Sequence, residues 1–234
     1  MKAFVIFVAK NQHSREYAAR TVKSLQQRRG WDPVLLPGVT PITLKLWKLI
    51  YPHFVRPGSR AESFKLQNNP AYAFKRSCWL NHMRVWQMAV DMDRPVAFIE
   101  HDSGCLADWD YPDFEDVLIL NARPAVNQSA VQKGMAKHAP PGDLAKWPGI
   151  RTGVHDWDAP LVYRFSDDST ESLIMPGTAA YAVTAQGARK LLEHAQHGWE
   201  QSDHYINTGV VRIQYRDPPY FDLHSANLGS SHGF

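Results

Sequence analysis

The sequence contains few cysteines and no long hydrophobic run, and each absence removes a class of protein. Its two cysteines, Cys78 and Cys105, provide neither a disulfide framework nor a zinc-binding motif. The apolar stretch within residues 3–9 covers only seven residues, which is too short to span a bilayer. No cleavage-site pattern follows this stretch, so we predict no signal peptide and expect a location in the reducing cytoplasm.

The chain also has little excess charge and no repeated or low-complexity tract. Its formal net charge is +3 and its isoelectric point is about 8.8. This mild excess suits an anionic ligand such as a nucleotide diphosphate, and it does not exclude nucleic acid. What the chain has in quantity is aromatic residues, including eight Trp and nine Tyr. Such rings fill cores and also stack on sugars and bases.

The first part of the chain has the hydrophobic pattern of an α/β protein. A buried strand is predicted over residues 3–9, followed by a helix that Ser14 caps and Gly30 ends. A short second strand is predicted over residues 33–36. Strand, helix and strand in this order are the opening of a doubly wound sheet, so we expect an α/β fold in a single domain over residues 1–234.

The rest of the chain predicts further helices and strands around one long irregular stretch. Four apolar side chains at helical spacing indicate that the helix over residues 71–91 faces the core: Trp79, Met83, Trp86 and Val90. The other predicted elements are strands at residues 95–99, 116–120, 173–175, 179–183 and 210–214, a helix at 185–194, and an irregular tail from 217. Residues 121–170 are rich in Pro and Gly and are interpreted as a loop-rich insertion.

An acidic triplet follows the apolar run at residues 95–99. Its members are Glu100, His101 and Asp102. Ligands bind at the carboxyl ends of strands in open α/β sheets, so the triplet is predicted to lie at a ligand site. Two carboxylates spaced two residues apart can converge on Mg²⁺ or Mn²⁺, which prefer oxygen ligands and leave positions for phosphate oxygens. A turn cluster without a ligand is the alternative interpretation.

Three later or separate groups can also carry chemistry. Asp203 can act as a general base toward an acceptor hydroxyl, and it can also cap a helix that begins near His204. The imidazole of His224 can complete a metal shell otherwise made of oxygens, with Asp222 two residues away, or it can be a surface histidine. His82 either contacts substrate or is a satisfied core histidine, and its pattern favours the core.

Four segments together carry a family resemblance. They are Cys78 to His82 with the trailing Trp86, the run from Pro95 to Asp102, the block from Gly177 to Tyr181 with the helix after it, and Asp203 to Tyr205. Their order and spacing resemble those of glycosyltransferase family 25, which includes lipooligosaccharide-type enzymes and collagen galactosyltransferase-like domains. The chain departs from the family pattern at His101, which stands for an acid, and at Asn81, which stands for Ser.

The resemblance implies a GT-A fold, a mixed sheet flanked by helices, and transfer of a sugar from a nucleotide sugar with inversion. It further implies Mn²⁺ or Mg²⁺ as cofactor, a UDP-sugar donor and a glycan acceptor, as in lipopolysaccharide biosynthesis. To the residues it assigns we add Lys10 and Arg15 as cations near the nucleotide. The expected metal ligands are Asp102, His224 and Glu100; the donor contacts are Lys10, Arg15, Glu100, His101, Gly177 and Thr178; the acceptor contacts are Asn81, His82 and Tyr181; and the catalytic base is Asp203.

Three alternative functions stay open at this point. The first is the same chemistry on a hydroxylated DNA base, with phosphate contacts from Lys45, Lys48, Arg56, Arg60, Lys75 and Arg76. The second is a metal-dependent phosphoesterase built from His82, His101, Asp102, Asp203 and His224. The third is a binding module without catalysis. The sequence does not determine the oligomeric state.

Overall fold

A computed structural model of the protein describes residues 1–44, 46, 70–121, 152–156, 162–164, 171–173, 178–195 and 202–223. In this part of the chain the helices are α1 (Gln12–Gln26), α2 (Pro70–Met92), α3 (Ala185–His194) and α4 (Ser202–Tyr205). The strands are β1 (Lys2–Phe7), β2 (Asp32–Pro37), β3 (Val96–Glu100), β4 (Ser103–Cys105), β5 (Val117–Ile119), β6 (Gly153–Asp156), β7 (Val162–Arg164), β8 (Glu171–Leu173), β9 (Ala180–Val183), β10 (Ile213–Asp217) and β11 (Phe221–Leu223).

Seven of the described strands form one mixed sheet in the order β2-β1-β3-β9-β5-β10-β6. β1 is parallel to both β2 and β3, as the predicted doubly wound opening requires. β9 is antiparallel to β3 and β5, while β10 is parallel to β5 and antiparallel to β6. Five strands therefore share one direction, and their carboxyl ends lie at a common edge of the sheet. The predicted mixed α/β class is confirmed.

Successive side chains along each strand point to opposite faces of the sheet, and they form two separate hydrophobic cores, one on each face. On the first, called the α2 face, Phe98 of β3 packs in a cluster with Trp86 of α2, Leu191 of α3 and Tyr205 of α4. On the second, called the α1 face, Ile99 packs in a cluster that contains Leu25 of α1 and Phe221 of β11. The sheet is thus covered by helices on one face and by α1 with the β4–β11 ribbon on the other.

The buried stripe predicted for the long helix is confirmed. Trp79, Met83 and Trp86 are fully buried on α2, and Val90 is partly buried against the same cluster. Burying a large aromatic side chain contributes about 2–3 kcal/mol of hydrophobic free energy, so this stripe fixes α2 firmly on the sheet. No helix within the described ranges is both long enough and apolar enough to cross a membrane.

Three expectations about local structure are wrong. Ser14 does not cap the first helix: the Asn11 side chain accepts from the Ser14 backbone N–H at 3.0 Å, and the Ser14 hydroxyl instead accepts from Val8 N. The predicted irregular tail from residue 217 contains β11, which pairs with β4. The predicted loop-rich insertion contributes β6, which closes one edge of the main sheet. Of the insertion predicted at 121–170, the structure describes residues 121, 152–156 and 162–164.

Candidate functional site

The loops after β1 and β3 lie side by side because their strands are parallel neighbours. Ile6 pairs with Glu100, so both strands end at the same level of the sheet. Across β3 on the other side, Glu100 N donates to the Ala179 carbonyl at 2.7 Å, which brings Thr178 to the same edge. Three of the segments that the sequence assigned to one site therefore meet there. Gly177, assigned to the donor site with Thr178, lies outside the described residues.

Two basic residues follow β1 at this edge. Lys10 and Arg15 are both exposed, one just before α1 and one in its first turn. The guanidinium of Arg15 donates from one of its terminal nitrogens to the Ala9 carbonyl at 2.7 Å, which holds it against the loop after β1. Cations in this position are available to an anionic ligand at the carboxyl edge, as expected for a nucleotide diphosphate.

The turn after β3 contains polar atoms without a partner. Oδ1 of Asp102 and the hydroxyl of Ser103 are buried, and neither has a hydrogen-bond partner within the described part of the chain. Buried polar atoms are normally paired, since leaving one unsatisfied costs about 1–3 kcal/mol. Such atoms next to a loop edge are typical of a site that is completed by a ligand.

His101 sits between the two acids of the triplet and is half-buried. Burial lowers the pKa of His101, and the neighbouring Asp102 carboxylate opposes that shift. Burial therefore favours the neutral form of its imidazole. A neutral imidazole can donate one hydrogen bond and accept another, or it can bind a metal ion through its lone pair.

The last described strand returns to this turn. β11 pairs antiparallel with β4, with Phe221 opposite Cys105, Asp222 opposite Gly104 and Leu223 opposite Ser103. The described chain thus ends beside the residue that follows Asp102. His224, the predicted second metal ligand, is the next residue in the sequence and lies outside the described residues.

Asp203 is held by its backbone in α4, on the α2 face of the sheet. The ring of Tyr205 stacks on Trp86 with centroids 5.4 Å apart, and its hydroxyl donates to the Leu191 carbonyl at 2.8 Å. The buried tyrosine fixes the short helix. The side chain of Asp203 is not among those the structure describes, so its predicted role as base remains a prediction.

The expected acceptor contacts are corrected, because all three side chains are occupied inside the protein. His82 is 2% exposed, stacks on Phe98, and its Nδ1 lies 3.0 Å from the Tyr181 hydroxyl. Trp86 donates to the same Tyr181 hydroxyl at 2.8 Å. Asn81 accepts from Val39 N at 2.6 Å and fastens the loop after β2. An acceptor cannot reach such groups without opening the core, so the core interpretation of His82 is confirmed.

Burial has a large effect on the two ionisable members of this core network. Desolvation lowers the pKa of His82 to about 3 and raises the pKa of Tyr181 well above its usual range. His82 is therefore neutral and is held inside this network. The phosphoesterase alternative stays open, because it also uses Asp203 and His224, whose side chains are not among those described. Within the described residues, no group of three or more His, Cys, Asp or Glu side chains is arranged to hold a metal ion.

The residues proposed to contact nucleic-acid phosphates fall mostly outside the described part. Lys75 is exposed on α2, and Arg76 beside it is partly buried. Lys45, Lys48, Arg56 and Arg60 lie outside the described residues. The structure therefore leaves the DNA-acceptor alternative as it stood in the sequence.

Sequence reasoning missed the residues that hold the acidic turn. Thr21 of α1 is fully buried, and its hydroxyl lies 2.6 Å from the His101 carbonyl and 2.7 Å from the Ser103 carbonyl. Three residues later, the Ser24 hydroxyl accepts from Cys105 N at 3.0 Å. The available signal was a pair of hydroxyl residues on the otherwise apolar face of an amphipathic helix.

The comparisons with known proteins add little to this geometry. No protein-family model matches the chain, and no curated protein matches it. Among solved structures, the chain is similar to the apo form of mouse xyloside xylosyltransferase 1, with 8% sequence identity and a TM-score of 0.40. That alignment covers 88% of this chain and 80% of the other. Similarity at this level does not establish a shared fold.

Proposed function

We propose that the protein is a metal-dependent glycosyltransferase of the GT-A type, similar to glycosyltransferase family 25. It transfers a sugar from a nucleotide sugar, with UDP as the first nucleotide to test, to a hydroxyl of a glycan acceptor. The proposal is supported by the family-like segments of the sequence and by the mixed sheet with its acidic turn at the carboxyl edge.

One observation carries the proposal: the unpartnered Oδ1 of Asp102. A carboxylate oxygen without a hydrogen-bond partner in the described chain is a ready ligand for a hard cation. Asp102 would hold Mn²⁺ or Mg²⁺ through this oxygen, and Glu100 would bind the cation through water or contact the ribose hydroxyls. The neighbouring Ser103 hydroxyl, which also lacks a described partner, can hydrogen-bond a metal-bound water.

His224 is the proposed second ligand. It follows Leu223 directly in the sequence, and Leu223 pairs with Ser103, the residue after Asp102. An imidazole can complete a cation shell that is otherwise made of oxygens.

The chain's own residues would then divide the chemistry. A divalent cation bound here would act as a Lewis acid that neutralises charge on the leaving diphosphate. Lys10 and Arg15 would add positive charge beside the nucleotide from the loop after β1. Asp203 would accept the proton of the acceptor hydroxyl. The hydroxyl oxygen would then bond to the anomeric carbon of the donor sugar while the bond from that carbon to the diphosphate breaks. The turn before β9 would let the backbone at Thr178 approach the sugar.

The test uses Asp203→Asn, which keeps the shape of the side chain and removes its basicity. We expect release of UDP from UDP-sugars with Mn²⁺ to fall by about 100-fold or more, because general base catalysis contributes about 10²–10⁴. Binding of UDP, measured by calorimetry with Mn²⁺ present, should stay within about twofold of wild type. The matched control is Asp113→Asn, an exposed aspartate before β5 that should change neither quantity.

Two results would contradict the proposal. Equal loss of turnover and of UDP binding in Asp203→Asn would remove its assignment as the base. If no nucleotide sugar in a panel of UDP, CMP and GDP donors is turned over by the wild-type protein with Mn²⁺, glycosyl transfer itself is wrong.

A further inference from the structure

Thr21 connects α1 to the acidic turn through the carbonyl groups of the two residues on either side of Asp102. Its hydroxyl lies 2.6 Å from the carbonyl of His101 and 2.7 Å from the carbonyl of Ser103. We propose that Thr21 is a positioning residue for Asp102, which fixes the direction of that carboxylate toward the cation. This inference rests on the proposed function, since it names a determinant of the same site.

The geometry selects Thr21 because of where its two acceptors lie. Both carbonyls belong to residues adjacent to Asp102, one before it and one after it. A hydroxyl has a single proton, so the two carbonyls share it and are drawn toward the same point beneath the turn. Holding both neighbours in this way defines the backbone of Asp102 without touching its side chain, which leaves the carboxylate oxygens available to a ligand.

Packing of α1 does not depend on this hydroxyl. The helix is anchored by apolar contacts of Ala18 and Leu25, both fully buried in the α1-face cluster. Ser24 provides a second hydroxyl on the same helix, which accepts from Cys105 N beyond the turn. The hydroxyl of Thr21 is therefore the contact that acts on Asp102 in particular, whereas Ser24 acts on β4.

The consequence is a loss of metal affinity when the hydroxyl is removed. Groups that orient metal ligands typically change metal affinity by about 10–100-fold when they are mutated. Thr21→Val keeps the branched shape and removes the donor, so both carbonyls are free to turn and Asp102 moves with them. Thr21→Ser keeps the donor and should restore binding to within about threefold of wild type.

The experiment measures Mn²⁺ binding by electron paramagnetic resonance, with UDP present and no sugar acceptor. Four variants are compared with wild type: Thr21→Val, Thr21→Ser, the matched hydroxyl deletion Ser24→Ala, and Asp102→Asn. We expect Thr21→Val to weaken Mn²⁺ binding by about tenfold or more, with Thr21→Ser and Ser24→Ala near wild type and Asp102→Asn weakest. Circular dichroism at the assay temperature confirms that each variant is folded; if Thr21→Val is not, Thr21→Ala replaces it.

Each outcome decides the inference. If Ser24→Ala weakens binding as much as Thr21→Val, the effect is general docking of α1 and the positioning role is wrong. If Asp102→Asn abolishes Mn²⁺ binding while Thr21→Val binds Mn²⁺ normally, the positioning role of Thr21 is wrong and the metal site at Asp102 stands. If Asp102→Asn binds Mn²⁺ like wild type, the metal site of the proposed function fails and the role of Thr21 fails with it.

Discussion

Two aspartates, one at the amino end of β5 and one at the carboxyl end of β3, differ in the hydrogen bonds and ion pairs that their carboxylates form. Asp116, just before β5, is fully buried; one of its oxygens accepts from Lys190 Nζ at 2.6 Å and from Arg212 N at 2.8 Å. Oδ1 of each aspartate has no hydrogen-bond partner within the described chain. The difference is that the other oxygen of Asp116 is held by a lysine and a backbone N–H, whereas Asp102, just after β3, lies beside a second side chain with an unpaired oxygen, Ser103.

The surroundings of the two aspartates show the same contrast. Near Asp116, Arg212 forms a two-pronged ion pair with Asp156 at 2.9 Å and a further one with Glu115, which ties β6 to β10. Near Asp102, the Ser103 hydroxyl also lacks a described partner. The end of the sheet at Asp116 is thus cross-linked by ion pairs, whereas the turn at Asp102 has unpaired oxygens on two consecutive side chains. Unpaired groups of this kind are expected at functional sites, where stability is given up for binding.

Removing Asp116 should have the largest effect on stability. Asp116→Ala leaves Lys190 without its partner and removes the acceptor of Arg212 N at the start of β10. Breaking a buried pair by deleting one member costs about 3–5 kcal/mol, and partial exposure of Lys190 places the expected loss near 3 kcal/mol. Urea unfolding monitored by fluorescence measures it. Exposed Asp113→Ala is the control and should change the free energy of unfolding by less than about 0.5 kcal/mol.

The buried His82 gives the next largest effect, as a loss of stability in acid. Above pH 6.5 the imidazole is neutral in both folded and unfolded chains and contributes no pH dependence. Below that value the imidazole is protonated in the unfolded chain, whereas in the folded chain it stays neutral until the pH approaches its pKa of about 3. The free energy of unfolding therefore falls as pH falls from 6.5 toward 3, by about 2–3 kcal/mol at pH 4.5.

His82→Gln isolates this contribution, because glutamine stays neutral and can still hydrogen-bond the Tyr181 hydroxyl. Unfolding is compared at pH 7 and pH 4.5, and the variant should lose about 2 kcal/mol less than wild type between the two. His13→Gln, at an exposed position in α1, should leave the wild-type difference unchanged. Identical acid sensitivity in wild type and His82→Gln would mean that the imidazole is not excluded from water.

The parts of this fold that could be predicted from sequence are those with a strong local pattern. The helix at 185–194 has the bounds expected of it, and α2 extends the prediction by one residue at each end. Both carry regular apolar spacing over several turns. The strand β10 was predicted at 210–214 and lies at Ile213–Asp217. A strand of five residues has too short a hydrophobic pattern to define where it starts and ends.

Features that depend on distant partners could not be predicted in this way. β11 has three residues and is defined only by pairing with β4, which is more than a hundred positions earlier. Thr21 reaches carbonyls some eighty residues away; its hydroxyl on the apolar face of α1 is visible in the sequence, but the carbonyls that it contacts are not. The position of the Glu100–Asp102 triplet was predictable, since the apolar strand before it is local. The burial of Tyr181, in contrast, follows from strand pairing across the sheet.

The smallest expected effect on stability belongs to Asp102, and it gives the most direct test of the central claim. Asp102→Ala removes a carboxylate whose Oδ1 has no partner within the described chain, so its melting temperature without ligand should equal or exceed that of wild type.

With Mn²⁺ present, UDP added at about 100 times its dissociation constant should raise the free energy of unfolding of the wild type by about 2.7 kcal/mol. This corresponds to a rise in melting temperature of roughly 5–10 °C. The same addition should leave Asp102→Ala within about 1 °C of its unliganded value. If the variant is stabilised by Mn²⁺ and UDP as much as the wild type, Asp102 does not hold the cation and the account is contradicted.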